Sequence, residues 1–95
     1  MVYTFSNSGS LLRSYQTARN PNCVSLLLDK GLLAVADGHP DGTPGDFCLL
    51  NASTGALIWQ YTTYNMSWPI MLSADGTSVA AGSDDSNVYF FATQS

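Results

Sequence analysis

Three aspartates, Asp37, Asp41 and Asp46, and the single histidine, His39, lie together in the stretch D-G-H-P-D-G-T-P-G-D. Clustered carboxylates are hard oxygen donors of the kind calcium takes, but their spacing is not that of an EF-hand loop. A histidine among prolines and glycines reads as a solvated side chain rather than a member of a catalytic triad. The stretch is about five residues longer than its counterpart after Ala81, and reads as an insertion tolerated in a surface hairpin. Cys23 and Cys48 show neither C-x-x-C nor zinc-ligand spacing, and both read as buried free thiols. The sequence contains no Gly-x-Ser-x-Gly elbow, phosphate loop, dinucleotide fingerprint or His-Glu-x-x-His. No catalytic residue, metal ligand or cofactor is assigned, and a non-enzymatic protein is expected.

Charge narrows the partners. The basic residues number three, Arg13, Arg19 and Lys30, against seven acidic ones, for a net charge of −4. A nucleic-acid surface needs a basic stripe to contact phosphates, and three cations cannot build one. All seven acidic residues are aspartate, which favours turns because its short side chain bonds nearby backbone. No stretch approaches the length of a membrane-spanning helix and no basic-then-apolar leader opens the sequence, so membrane insertion is not expected. Asn51-Ala52-Ser53 and Asn65-Met66-Ser67 satisfy the glycosylation triplet, which matters only for an exported protein.

The elements that must position these residues are strands. Short apolar runs recur at Val2 to Phe5, Leu11 to Tyr15, Val24 to Leu28, Leu32 to Ala36, Phe47 to Leu50, Leu57 to Tyr61, Ile70 to Leu72, Val79 to Ala81 and Val88 to Ala92. Between them lie the residues of tight reversals, such as Asp29-Lys30-Gly31 and Ala74-Asp75-Gly76, so neighbouring strands are expected to pair antiparallel. Runs such as V-S-L-L-L and F-C-L-L are continuous rather than alternating, which implies sheets covered on both faces. A helix over Ser25 to Ala36 would be cut by Asp29-Lys30-Gly31, so no substantial helix is expected.

The runs also repeat. Ser8 to Tyr15, S-G-S-L-L-R-S-Y, aligns without gaps on Thr54 to Tyr61, T-G-A-L-I-W-Q-Y, and L-D-K-G-L-L-A-V-A matches S-A-D-G-T-S-V-A-A. V-Y-T-F, F-C-L-L and V-Y-F-F form a third series beginning at positions 2, 47 and 88. A period of 41 to 46 with four strands per repeat is that of a β-propeller blade.

The segment Leu49 to Trp59, L-L-N-A-S-T-G-A-L-I-W, resembles the tryptophan-docking motif of quinoprotein-type propellers, and Trp68 to Phe91 resembles a generic blade of the wider WD-repeat and quinoprotein-like superfamily. Thr54, Gly55 and Trp59 match the motif's spacing. Leu49 and Asn51 stand where alanine and aspartate are usual, and the first copy carries Ser8-Gly9 and Arg13 in place of Thr-Gly and tryptophan. The resemblance implies an all-β chain of antiparallel four-stranded propeller blades, about two per chain. Its parts would be the last two strands of a blade in 1–17, a complete blade in 22–63 and three strands of another in 66–92. Trp59 would pack between adjacent blades, and the setting would be extracytoplasmic.

Alternating connections should bring the loop Asp37 to Asp46 to the same rim as Thr17 to Cys23 and Thr62 to Ser67. That gathers Arg19, Asp37, His39, Asp41, Tyr64 and Trp68 as a candidate binding rim for a protein, peptide or glycan. Two blades with apolar faces call for further copies, and closure at four to eight blades implies a homo-oligomer of three or four chains acting as an interaction scaffold. The alternatives are a fragment of a pyrroloquinoline-quinone dehydrogenase propeller and a glycan-binding propeller. One conflict is visible in advance: Val2 to Phe5 and Val88 to Ala92 both read as the third strand of a blade.

Overall fold

The computed structural model describes residues 1–5, 8–17, 19–38 and 43–93; His39 and Asp41 lie outside the described residues. The chain is all-β. Its strands are β1 (Val2–Phe5), β2 (Leu11–Tyr15), β3 (Pro21–Leu27), β4 (Leu32–Asp37), β5 (Gly45–Asn51), β6 (Leu57–Thr63), β7 (Ser67–Leu72), β8 (Ser78–Ser83) and β9 (Val88–Ala92). They form three antiparallel sheets in the orders β1-β2, β3-β4-β5-β6 and β7-β8-β9. The 3₁₀ turn Leu28–Lys30 ends on Gly31, whose φ of 67° places it in the left-handed region that closes the β3-β4 hairpin. Among the described residues no helix is long and apolar enough to cross a membrane.

The middle sheet is covered on both sides because its central strands are apolar on both. Along β4 and β5, successive side chains point to opposite faces. Leu33, Val35, Cys48 and Leu50 meet Val2 of the first sheet, and Ala34, Ala36, Phe47 and Leu49 meet Ile70, Leu72, Val79 and Ala81 of the third. Strand β7 lies across β3 and β4, where the Leu72 amide donates to Ser25 Oγ at 3.0 Å and the Cys23 thiol approaches the Ile70 carbonyl at 3.8 Å. Cys48 is a buried free thiol, but Cys23 is only half-buried, because β3 is an edge strand whose face β7 covers incompletely.

The sequence repeat has a backbone counterpart. Val2 pairs with Tyr15 as Phe47 pairs with Tyr61, and both hairpins carry a bulge at the same place, between Thr4 and Phe5 and between Leu49 and Leu50. Gly9 and Gly55, aligned in the repeat, both have positive φ, 90° and 78°. In the second repeat the register corrects the alignment by one residue. Leu27 pairs with Leu32 around four loop residues, and Ser73 closes on Ser78 around another four, so Leu27 corresponds to Ser73 and Val35 to Ala81. Matching Gly31 to Gly76, as the letters suggest, pairs Val35 with Ala80. A one-residue slip exchanges the two faces of a strand. In the observed register, Val35 faces the sheet before its own, and so does Ala81.

Candidate functional site

The chain's one ion pair between side chains, among the described residues, joins Arg19 of the β2-β3 connection to Asp46 near the start of β5. Asp46 lies opposite Asp37, the last residue of β4, and both carboxylates are fully buried. The β4-β5 connection is therefore shorter than the Asp37 to Asp46 loop expected from sequence, since both bounding aspartates belong to strands. They stay paired because each satisfies backbone or hydroxyl groups that the hairpin mouth would otherwise strand. The Asp46 amide donates to Asp37 Oδ1 at 2.7 Å, and Thr62 Oγ1 donates to Asp46 Oδ1 at 2.7 Å.

The two carboxylates split in acidity. Burial pushes Asp37 up to about 6, and the neighbouring Asp46 charge adds to the rise. Burial acts on Asp46 too, but hydrogen bonds from Thr62 and Gln60 and the Arg19 guanidinium outweigh it and hold Asp46 below the ordinary carboxylate value. Asp37 Oδ2 is buried and has no hydrogen-bond partner among the described residues. Burial and the same two carboxylates push the Cys48 thiol up to about 12, which removes it as a nucleophile at neutral pH.

This split has a testable sign. A carboxyl with a raised folded pKa favours folding only while protonated, so the Asp37 contribution falls as pH rises from about 4 to about 6. Asp46 acts oppositely: it favours folding when ionised, and that contribution is lost as pH falls below the ordinary carboxylate range. Asp37→Asn keeps an acceptor for the Asp46 amide without the buried charge. It is expected to stabilise the chain at pH 7.5 by roughly 1–3 kcal/mol and to have little effect at pH 4. Urea melts at the two pH values check this; an equal loss at both would show that the ionised Asp37 is not the destabilising group.

The connections expected at one rim do meet. The Gly38 amide donates to the Asn20 carbonyl at 2.9 Å, and Asn22 Nδ2 donates to the carbonyls of Gly38 and Ser67 at 3.3 and 3.0 Å. The β8-β9 turn joins them, its Asp84 amide donating to the Met66 carbonyl at 2.9 Å. Of the rim residues expected from sequence, Arg19 and Asp37 come together through Asp46. Tyr64 and Trp68 project from the same end, 85% and 51% exposed. His39 and Asp41 fall outside the described residues, so the three-carboxylate calcium reading rests on a residue without described structure. Asp46, one of the three loop carboxylates, is absent from the rim expected from sequence. Its signal was its place beside Phe47, the mirror of Asp37 beside Ala36 across the hairpin.

The remaining motif residues shape the far end. Asn51 Oδ1 accepts from the amides of Ser53 and Thr54 at 2.9 and 3.1 Å, and Thr54 Oγ1 accepts from the Ala56 amide at 3.2 Å. Gly55 donates to the Asn51 carbonyl at 2.7 Å with φ of 78°. This turn starts β6 so that Trp59 reaches Phe91 of the third sheet, with ring centroids 5.0 Å apart. Asp75 and Asp85 do the turn work expected of aspartate here. Asp75 Oδ1 accepts from Ser73 Oγ, the Thr77 amide and Thr77 Oγ1, and these bonds hold it down at about 2.

Compared with protein families, characterised proteins and solved structures, the chain matches none.

Proposed function

We propose that this chain is a non-enzymatic β-propeller module, with its three sheets as parts of successive blades, and that several copies close a ring that serves as a binding scaffold. The observation that carries this reading is the direction of stacking. Equivalent residues face the same way in consecutive sheets: Val35 faces the first sheet from the second, and Ala81 faces the second from the third. Such head-to-tail contacts do not satisfy themselves in pairs. They propagate, and close a ring where the rotation between successive sheets adds up to a full turn.

Two bare surfaces support the same reading. The first sheet lies over β4 and β5 of the middle sheet but leaves Val24 and Leu26 of β3 half exposed. The third sheet turns Met71, Val88 and Phe90 away from the middle sheet, each at least 70% exposed. Apolar surface of this kind marks an interaction site. Strands β7 and β8 of a second copy, set beside β1 of the first, would lie over Val24 and Leu26 and bury Met71 against them. Each copy then supplies one whole blade and a share of a composite one, and three or four copies reach the six to eight blades that lie within the usual range. The rim bearing Arg19, Tyr64 and Trp68 is the surface left for a protein, peptide or glycan ligand, while no observation favours dehydrogenase chemistry.

Multi-angle light scattering of the 95-residue chain tests the proposal. A single discrete species of three or four chains is expected at micromolar concentration; a stable monomer would overturn it.

A further inference from the structure

The composite blade of the proposed ring has two strands for one place. Strands β1 and β9 occupy equivalent places. Through the pairing of β1-β2 and β5-β6, Val2 corresponds to Phe47 and Phe5 to Leu50. Through the pairing of β4-β5 and β8-β9, with Leu33 corresponding to Val79, Leu50 corresponds to Phe91 and Phe47 to Val88. Val2-Tyr3-Thr4-Phe5 therefore falls on Val88-Tyr89-Phe90-Phe91, and the two strands differ at one position, Thr4 against Phe90. Only one of them fits in a composite blade.

We infer that β1 of a second copy takes the place of β9, and that β9 is the strand released. This rests on the ring reading above and names how its subunits engage.

On one face, Tyr89 and Phe91 pack on the middle sheet of their own chain. Phe91 lies 5.0 Å from Trp59, 5.3 Å from Tyr61 and 5.9 Å from Phe47, and Tyr89 lies 5.5 Å from both Phe47 and Tyr61. Tyr3 and Phe5 present the same two rings, 6.4 Å apart where Tyr89 and Phe91 are 6.1 Å apart, on a face where more than half of each side chain is exposed. β1 offers the same two aromatic side chains for this face at a similar spacing.

The other face does not allow the reverse exchange. There Val2 and Thr4 lie against Leu33 and Leu50, and the space left beside them is a cavity of about 10 Å³. That is about the least that admits one water molecule. A phenyl ring in the place of Thr4 needs more room than one water molecule, so Phe90 there would overpack the contact. Either exchange opens one hairpin, β8-β9 when β1 enters and β1-β2 when β9 stays, so the overpacking at Thr4 decides between them.

The prediction reverses what the single chain implies. In one copy Phe5 is exposed and Phe91 is packed, so the lone chain would depend on Phe91 and not on Phe5. In the assembly, Phe5→Ala is expected to raise the concentration for half-dissociation on the order of a hundredfold, the loss of a buried aromatic ring. Phe91→Ala is expected to leave the assembled mass unchanged. Dissociation by Phe91→Ala with Phe5→Ala assembling normally, or equal weakening by both, would overturn the exchange. Should Phe91→Ala fail to fold before it assembles, hydrogen exchange on the unmodified assembly decides. The β1 amides are expected to be protected and Val88–Ala92 to exchange freely, and the opposite pattern refutes the inference. A wild-type monomer would instead remove the ring reading on which it rests.

Discussion

Phe47→Ala is expected to destabilise the chain by about 3–5 kcal/mol, the range for removing a buried aromatic side chain. Phe47 is fully buried in β5, paired with Ala36 on one side and Tyr61 on the other, and its ring meets Tyr89 and Phe91 edge-on. The cavity would open between the middle and third sheets, the contact on which the stacking depends. A chain this short has a total stability near the low end of the usual 5–15 kcal/mol, so the loss takes most of it. Urea unfolding followed by tryptophan fluorescence reads the effect, because Trp59 lies beside Phe91 at the same junction. A midpoint shift worth less than about 1 kcal/mol would mean that the third sheet does not pack on the second in solution.

Gly45→Ala is the second large effect, and its cause is space rather than backbone conformation. A methyl group at Gly45 would stand 2.4 Å from the Asp37 carbonyl, 2.7 Å from the Ser67 amide and 2.8 Å from the Asn65 carbonyl. All three are backbone atoms, so no side chain can swing aside. The β4-β5 hairpin mouth would have to part from the β6-β7 turn, at a cost of about 3 kcal/mol or more, the upper end for overpacking. Gly31→Ala is the control. It meets no atom within 4 Å, and its cost is the left-handed conformation alone, about 1–2 kcal/mol. Parting the hairpin mouth also admits water to Asp37, whose titration should return toward the ordinary carboxylate range and remove the pH dependence described above. Equal losses from the two alanines would contradict the close approach.

The sites of these predictions differ in how far sequence reveals them. Phe47 begins an apolar run, and a run continuous through Phe47-Cys48-Leu49-Leu50 must be buried on both faces whatever lies against it. Gly45 carries no such sign, since its neighbours Pro44 and Asp46 read as loop. Asp46 has the same disguise. An aspartate among glycines and prolines reads as turn chemistry, and only the partner strand, the Arg19 guanidinium and the Thr62 hydroxyl make its burial tolerable. Asp75, with its partners two residues away on either side, behaves as its local sequence implies.

The strands, their antiparallel pairing and the recurrence of a glycine-bearing turn, Ser8-Gly9 and Thr54-Gly55, are legible from the residues alone. Each depends on residues near one another in the chain: apolar periodicity, turn formers and a glycine free to take positive φ. The direction in which each face points came from tertiary packing. Face direction depends on hairpin register, and a glycine one place earlier in an otherwise equal loop moves the letters by one while the strands keep their pairing. That single position turns Val35 from the partner of Ala80 into the partner of Ala81, so that equivalent residues face the same way in consecutive sheets.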